Sequence, residues 1–325
     1  MPPRISVQPA LLNSASPWAT TASELTALYS SPFTGAVTTR TSLSSGFEHN
    51  PRIHQHTFFP SSSSLNTYGY SPTPLSSYLS YIREIIRTGG QPQKKPFIVS
   101  ITGSAREVGE GVQKIAEFGE KEGVVVWAEV NLSCPNIPDA PPPAYSADGL
   151  EDYLKRLPSP RRIPVGVKTP PYTYQQQFDD FLGVVERYPE TLAFITATNT
   201  LGGALHLSAP PSLSVEGGKV WQPTLSSAAG TGVGGLAGEA IHWLALGNVD
   251  SLKRGLEKRG LGDVVVIGVG GVSDRDGMVR MLAVGAGAVG VATAFGREGV
   301  EVFENILTGK DTEGTDVARD SEVFA

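Results

Sequence analysis

The stretch VVVIGVGGVSDRDGMVRMLAVGAGAVGVATA, residues 264–294, decides the fold. It opens on a β-branched apolar run, 264–271, and closes on a second, 287–294, with a helical pattern over 274–284 between them. A strand, a helix and a strand in that order form a crossover, which sets the two strands parallel. Each run ends in glycine or a small residue, Gly270-Gly271 in the first and Ala292-Thr293-Ala294 in the second.

Read outward, the same rhythm fills the chain. Further strand candidates are PALLNSAS (9–16), GAVTTR (35–40), FIVSIT (97–102), VVVWAEVNLS (124–133), IPVGVKT (163–169) and LAFITATN (192–199). Helical patterns fall at 75–88, 105–121, 147–156, 175–187, 237–258 and 298–308. In the second of these, Val108, Val112, Ile115, Ala116 and Phe118 recur near helical spacing before a glycine stop. Eight apolar strands alternating with helices predict an α/β fold, a (β/α)8 TIM barrel formed as one domain over residues 1–325. A doubly wound open sheet competes, weakened because no GxGxxG follows the first strand. Two excursions, 41–74 and 200–236, are rich in Ser, Pro and Gly and each follows a strand's C-terminal end, where barrels keep active-site loops. Within the first, SSSS at 61–64 also reads as plain linker.

The bulk numbers exclude several classes. The chain has 325 residues, 40% hydrophobic and 18% charged, with a net charge of −6. That balance argues against a nucleic-acid surface or an anionic-membrane surface, both of which want clustered Lys and Arg. No run is long enough to span a bilayer, and the N-terminal MPPRISVQPALLNSASPW lacks the apolar core of a signal peptide. One cysteine forms no internal disulfide. The expectation is a soluble, cytoplasmic protein.

In a barrel, chemistry sits at the strands' C-terminal ends. Those ends carry Asn13-Ser14-Ala15, Arg40, Asn131 with Cys134 just beyond, Lys168, Asn199, Gly270-Gly271 and Thr293. The diglycine and the helix opening after strand eight suit a phosphate, because glycine lets backbone N–H groups approach an anion; ordinary glycine turns are the plain alternative. Lys168 would be interior, and three roles stay open: facing a cofactor's electron-rich ring, forming a Schiff base, or pairing at the rim with a carboxylate. Asn66, Asn131, Asn136 and Asn199 offer uncharged donors and acceptors; converging, they suit a flat ligand with several C=O and N–H groups, such as a pyrimidine, and singly they are turn formers. Cys134 alone would be a small buried hydrophobe. His54 and His56 share a strand face but have no third ligand at metal-like spacing, so no metal is expected.

Taken in order, NLSCPNIP (131–138), GVKTPPY (166–172), TATNTLGG (196–203), GTGVGG (230–235) and VIGVGGV (266–272) resemble the dihydroorotate dehydrogenase family, in its FMN-containing, fumarate-linked class 1A. The resemblance runs from about residue 5 to residue 310. It implies an oxidoreductase acting on a CH–CH bond: dihydroorotate is oxidised to orotate in pyrimidine synthesis, electrons pass to FMN and then fumarate, and the enzyme is a homodimer. Position by position, it implies Cys134 as the general base. Arg40, Asn66, Gly69, Asn131, Asn136, Asn199 and Thr200 fall at substrate positions. Ala15, Arg40, Thr41, Asn131, Lys168, Thr198, Gly235, Gly270, Gly271, Ala292 and Thr293 fall at flavin positions. The segment NIPDAPPPAYS (136–146), with prolines at 141–143, is expected to form a stiff lid.

The chain also departs from the pattern. TTRTS (38–42) puts Arg40 where the family has lysine, and the two cations are not equivalent. NTYGY (66–70) puts Tyr68 and Tyr70 where smaller apolar side chains line the pocket. NSAS (13–16) stands for NASG, and Ala292-Thr293 for Gly-Thr. These changes keep open a flavin barrel acting on a related substrate. Behind it stand a Lys168 Schiff-base lyase or aldolase and a non-catalytic flavin-binding or regulatory protein.

Overall fold

The computed structural model describes residues 5–59, 61–89, 95–137, 141–158, 162–209 and 219–310. The chain begins with β1 (Leu11–Asn13), α1 (Ala22–Ser30), β2 (Val37–Thr38), β3 (His56–Phe58), β4 (Ser63–Asn66) and α2 (Leu75–Thr88). Next come β5 (Phe97–Ile101), α3 (Ala105–Glu122), β6 (Val126–Asn131), α4 (Ala147–Arg156), β7 (Val165–Thr169), α5 (Gln175–Arg187) and β8 (Phe194–Ala197). The second excursion holds β9 (Leu201–Ala204), β10 (Leu207–Ser208) and β11 (Gln222–Pro223), and β12 (Gly234–Gly238) runs two residues past its end, into the start of the helical pattern expected from 237. The chain closes with α6 (His242–Lys258), β13 (Val265–Val269), α7 (Arg275–Ala283), β14 (Ala288–Val291), α8 (Thr293–Glu298) and α9 (Val302–Thr308).

Eight strands pair in parallel in the order β1-β14-β13-β8-β7-β6-β5-β2, and a parallel bridge between Leu12 and Ala36 joins the two ends. This is the expected (β/α)8 barrel. Its ladders are shorter than the apolar runs because the last residues of each run leave the ladder and become the loops of the mouth. The strand repeat of two fills the interior in layers. Trp127, Glu129 and Asn131 alternate along β6: Trp127 packs with Leu12, Ile98, Phe194 and Ile267 at the floor, and Asn131 reaches the mouth. Gly166 has no side chain because a Cβ there would meet the Phe194 ring. The opposite strand faces pack on the helices, where Val108, Val112 and Ile115 of α3 are buried as their spacing predicts. That helix begins at a Ser104–Glu107 capping box and ends on left-handed Gly123 (φ 66°).

Three features differ from the sequence reading. α1 lies outside the helical patterns, yet Thr21 and Glu24 form a reciprocal capping box, and Leu25 and Leu28 are buried. The excursions are not open loops. Parts of both zip into one antiparallel sheet, β3-β4-β12-β9, beside the mouth, with Gly235 opposite Asn66 and Ala237 opposite Ser64. The Ser-rich tract is therefore not linker: Ser63 and Ser64 are buried in β4, and the Ser64 hydroxyl lies 3.2 Å from that of Thr293. Of the expected lid, residues 138–140 lie outside the described residues, and the remainder is anchored by the Ala144 N–H to Leu132 O at 3.1 Å. Among the described residues, no helix is long and apolar enough to cross a membrane.

Candidate functional site

The barrel mouth holds two adjoining lobes. The first encloses about 740 Å³ of non-atom space, its opening included, and the second about 510 Å³; Ala15, Lys168, Asn199, Thr200, Ala292 and Thr293 line both.

Into the first lobe the loops bring Cys134, Arg40, Thr41, Asn66, Gly69, Asn131 and Asn136, with Tyr68 and Tyr70 beside them. The four asparagines do converge. Asn136 Nδ2 donates to Asn66 Oδ1 at 3.0 Å and to Tyr68 O at 2.9 Å, while Asn66 Nδ2 donates to Gly235 O at 3.2 Å. Gly235 itself does not line either lobe; it supports Asn66 and Thr200, since a Cβ there would meet the Thr200 hydroxyl. Asn199 Nδ2 donates to Ser133 Oγ at 2.9 Å, and Ser133 Oγ donates to Asn131 Oδ1 at 2.9 Å.

From Asn131 the chain of hydrogen bonds runs down into the barrel. Asn131 Nδ2 donates to Thr41 Oγ1 at 2.9 Å, Thr41 Oγ1 lies 2.9 Å from Ser100 Oγ, and Ser100 Oγ donates to Glu129 Oε1 at 2.9 Å. Thr196 Oγ1 fills the other carboxylate oxygen at 2.7 Å. A carboxylate only accepts, so Ser100 gives its proton to Glu129 and must accept from Thr41, which accepts from Asn131. The buried Glu129 and the Ser133 N–H, 3.1 Å from Asn131 Oδ1, thus agree on which way the Asn131 amide faces. Sequence reasoning misses Glu129 because a single acid inside an apolar run looks like an irregularity. The signal that finds it is its two-residue spacing from Asn131.

The charged groups are unusual in their surroundings. Lys168 is buried, donates to Ser14 Oγ at 3.1 Å, and burial pushes its amine below the usual range against the pull of Glu129 and Cys134. Arg40 is 8% exposed; its Nη2 donates to Gly69 O at 3.3 Å and Tyr70 O at 3.2 Å, and its guanidinium lies over the Tyr68 ring at 5.1 Å. Tyr68 in turn hydrogen-bonds His56 Nδ1 at 3.0 Å, so Arg40 and both tyrosines form one wall. Burial raises the Cys134 thiol, while the Asn136 N–H, Lys168 and Arg40 lower it. Burial also raises the Tyr70 phenol, keeping it protonated, with a hydrogen bond to Thr102 acting the other way.

The second lobe is lined by Thr198, Gly270, Gly271, Ser273 and Ala294 among others. Gly270 (φ 145°) and Gly271 (φ 72°) both need the freedom of glycine. The Thr198 hydroxyl is buried without a hydrogen-bond partner among the described residues, which marks a place for a ligand atom. Glycine backbone beside that hydroxyl suits an anionic group. Among the described residues no group of three His, Cys, Asp or Glu is placed to hold a metal.

Comparison with known proteins gives a consistent answer. The family model described as dihydroorotate dehydrogenase matches residues 12–311. The dihydroorotate dehydrogenase (fumarate) of Trypanosoma cruzi (strain CL Brener) is 33% identical over 274 residues, covering 84% of this chain and 79% of the relative. Two crystal structures of the Eimeria tenella dihydroorotate dehydrogenase share the fold. The complex with ferulenol has a TM-score of 0.68 at 18% identity, covering 94% of this chain and 82% of that one. The ligand-free form has a TM-score of 0.67 at 17% identity, covering 93% and 85%.

Proposed function

The chain belongs to the dihydroorotate dehydrogenase family, and from that premise we propose that it oxidises dihydroorotate to orotate with FMN as resident cofactor and fumarate as acceptor. The observation that carries the reading is the meeting of Cys134, Arg40 and four asparagines in one lobe that continues, past Lys168, into the glycine-lined lobe.

When bound, FMN supplies the acceptor for the hydride. Residues of the second lobe, Thr198, Gly270 and Gly271, would hold its anionic end, and Lys168 would face its ring. Asn66, Asn131, Asn136 and Asn199 would grip the amide edges of the substrate, and Arg40 its carboxylate. Cys134, as thiolate, takes the proton from the carbon beside a ring carbonyl; the neighbouring carbon gives up a hydride, and a C=C bond forms between them. The proton then leaves Cys134 for solvent, which restores the base.

The visible spectrum of the purified protein, before and after anaerobic dihydroorotate, tests this directly. A yellow protein that bleaches is expected. One that stays oxidised keeps the flavin and moves the substrate to a related compound, a second reading that the wall of Arg40, Tyr68 and Tyr70 favours. A colourless protein that FMN does not load, and that borohydride labels at Lys168 with a carbonyl substrate, would replace the proposal with a Schiff-base enzyme.

We also propose a homodimer. Leu205, Leu207, Val220, Trp221 and Val233 leave apolar surface exposed around the paired strands β10 and β11, and Trp221 alone is 60% exposed. Light scattering should give twice the mass of one chain, and Trp221→Glu should shift it toward one; a monomeric parent refutes the dimer.

A further inference from the structure

We propose that His242, backed by Arg280, is a positioning residue that holds the Gly270–Gly271 turn in the form that receives the cofactor's anionic end. This rests on the reading of the second lobe as an FMN site.

His242 opens α6 and is 2% exposed, yet it lines neither lobe. Its Nδ1 lies 2.8 Å from Gly270 O, and Arg280 Nε donates to its Nε2 at 3.1 Å. The partners settle the tautomer. A guanidinium only donates, so Nε2 must accept; the ring proton therefore sits on Nδ1 and is given to the Gly270 carbonyl. Arg280 is itself placed over the Trp243 ring at 5.7 Å. The chain Trp243–Arg280–His242 thus runs from the surface to the turn, since Trp243 is 72% exposed.

The turn needs such a brace. Two successive glycines at positive φ surrender more conformational freedom on ordering than any other pair. Gly271 also packs so closely on His242 and Gly238 O that a Cβ would meet both. With Gly270 O tied to His242, the peptide unit is held in one orientation, and the N–H of Gly271 on that same unit is aimed at the same time. Without the tie, FMN must order the turn as it binds, and affinity falls.

The test is a titration of FMN into apoprotein, followed by quenching of flavin fluorescence, with apoprotein melting measured in parallel. His242→Phe keeps a ring and removes both hydrogen bonds; the FMN dissociation constant should rise about fivefold to tenfold, as expected for one net hydrogen bond. His242→Asn places an amide N–H where Nδ1 was and should restore the constant to within about threefold of wild type. A His242→Phe constant equal to wild type overturns the proposal. So does an equal rise in both variants, which would assign the effect to lost packing. If His242→Phe does not fold, Arg280→Met reads the same tie with the ring in place, and an unchanged constant there also overturns it. Wild-type apoprotein with no affinity for FMN refutes the functional reading instead.

Discussion

Replacing Cys134 by serine slows reduction of the bound flavin by dihydroorotate about 100- to 10,000-fold at neutral pH, the usual worth of a general base, and leaves FMN in place. The separation follows from the geometry: Cys134 lines the first lobe only, while Thr198 and the diglycine line the second. The pH profile carries the same information. A thiol works as a base only after it loses its proton, and a free one does so at about pH 8.5. Burial raises Cys134, and the Asn136 N–H, Lys168 and Arg40 oppose that rise without cancelling it. Reduction by the native protein should therefore accelerate with pH through the alkaline range and level off above the thiol's pKa. The serine variant has no comparable titration and should lack that rise. Anaerobic stopped-flow absorbance across pH checks both. A native profile flat through neutral and alkaline pH, or a serine variant of native speed, removes Cys134 from the role.

Replacing Arg40 by methionine weakens the binding of orotate about 10- to 100-fold, the range for losing hydrogen bonds to a charged group, while the folded protein is no less stable. Among the described residues Arg40 takes part in no ion pair. Two backbone carbonyls and the Tyr68 face are its partners, and it is 8% exposed. Burying a charge without a counter-charge costs free energy, which a bound carboxylate returns. Methionine keeps the stem and removes that cost, so the melting temperature of the ligand-free variant should equal or exceed that of the parent. Arg40→Lys keeps the charge but not the fork, and should fall between the two. Titration of orotate followed by the flavin spectrum gives the constants. Native affinity in Arg40→Met would mean that the substrate's anionic group lies elsewhere, and a panel of ring analogues without the carboxylate would then be the better probe of the Tyr68–Tyr70 wall.

Much of the barrel and its mouth is legible in the order of residues. The eight apolar runs become the eight barrel strands because parallel strands are covered on both faces and read as continuous hydrophobic segments. The residues at their ends, Arg40, Asn131, Lys168, Asn199 and Gly270-Gly271, all stand at the mouth, since a barrel leaves its strand ends nowhere else to go. Gly235 is the exception among the flavin positions that the family resemblance implies: it stands behind Asn66 and Thr200 instead.

What local pattern determined, then, was the list of strands and the chemistry at their tips, because period and turn residues act over a few positions of chain. Only the tertiary structure decided which groups brace that chemistry. Glu129 meets Ser100 and Thr196 across three strands, and His242 meets Gly270 and Arg280 from separate elements. The sheet that joins β4 to β12 pairs residues about 170 positions apart, such as Asn66 and Gly235. Contacts of that kind leave no periodic trace in either segment, since each partner's identity is set by what the fold brings opposite it.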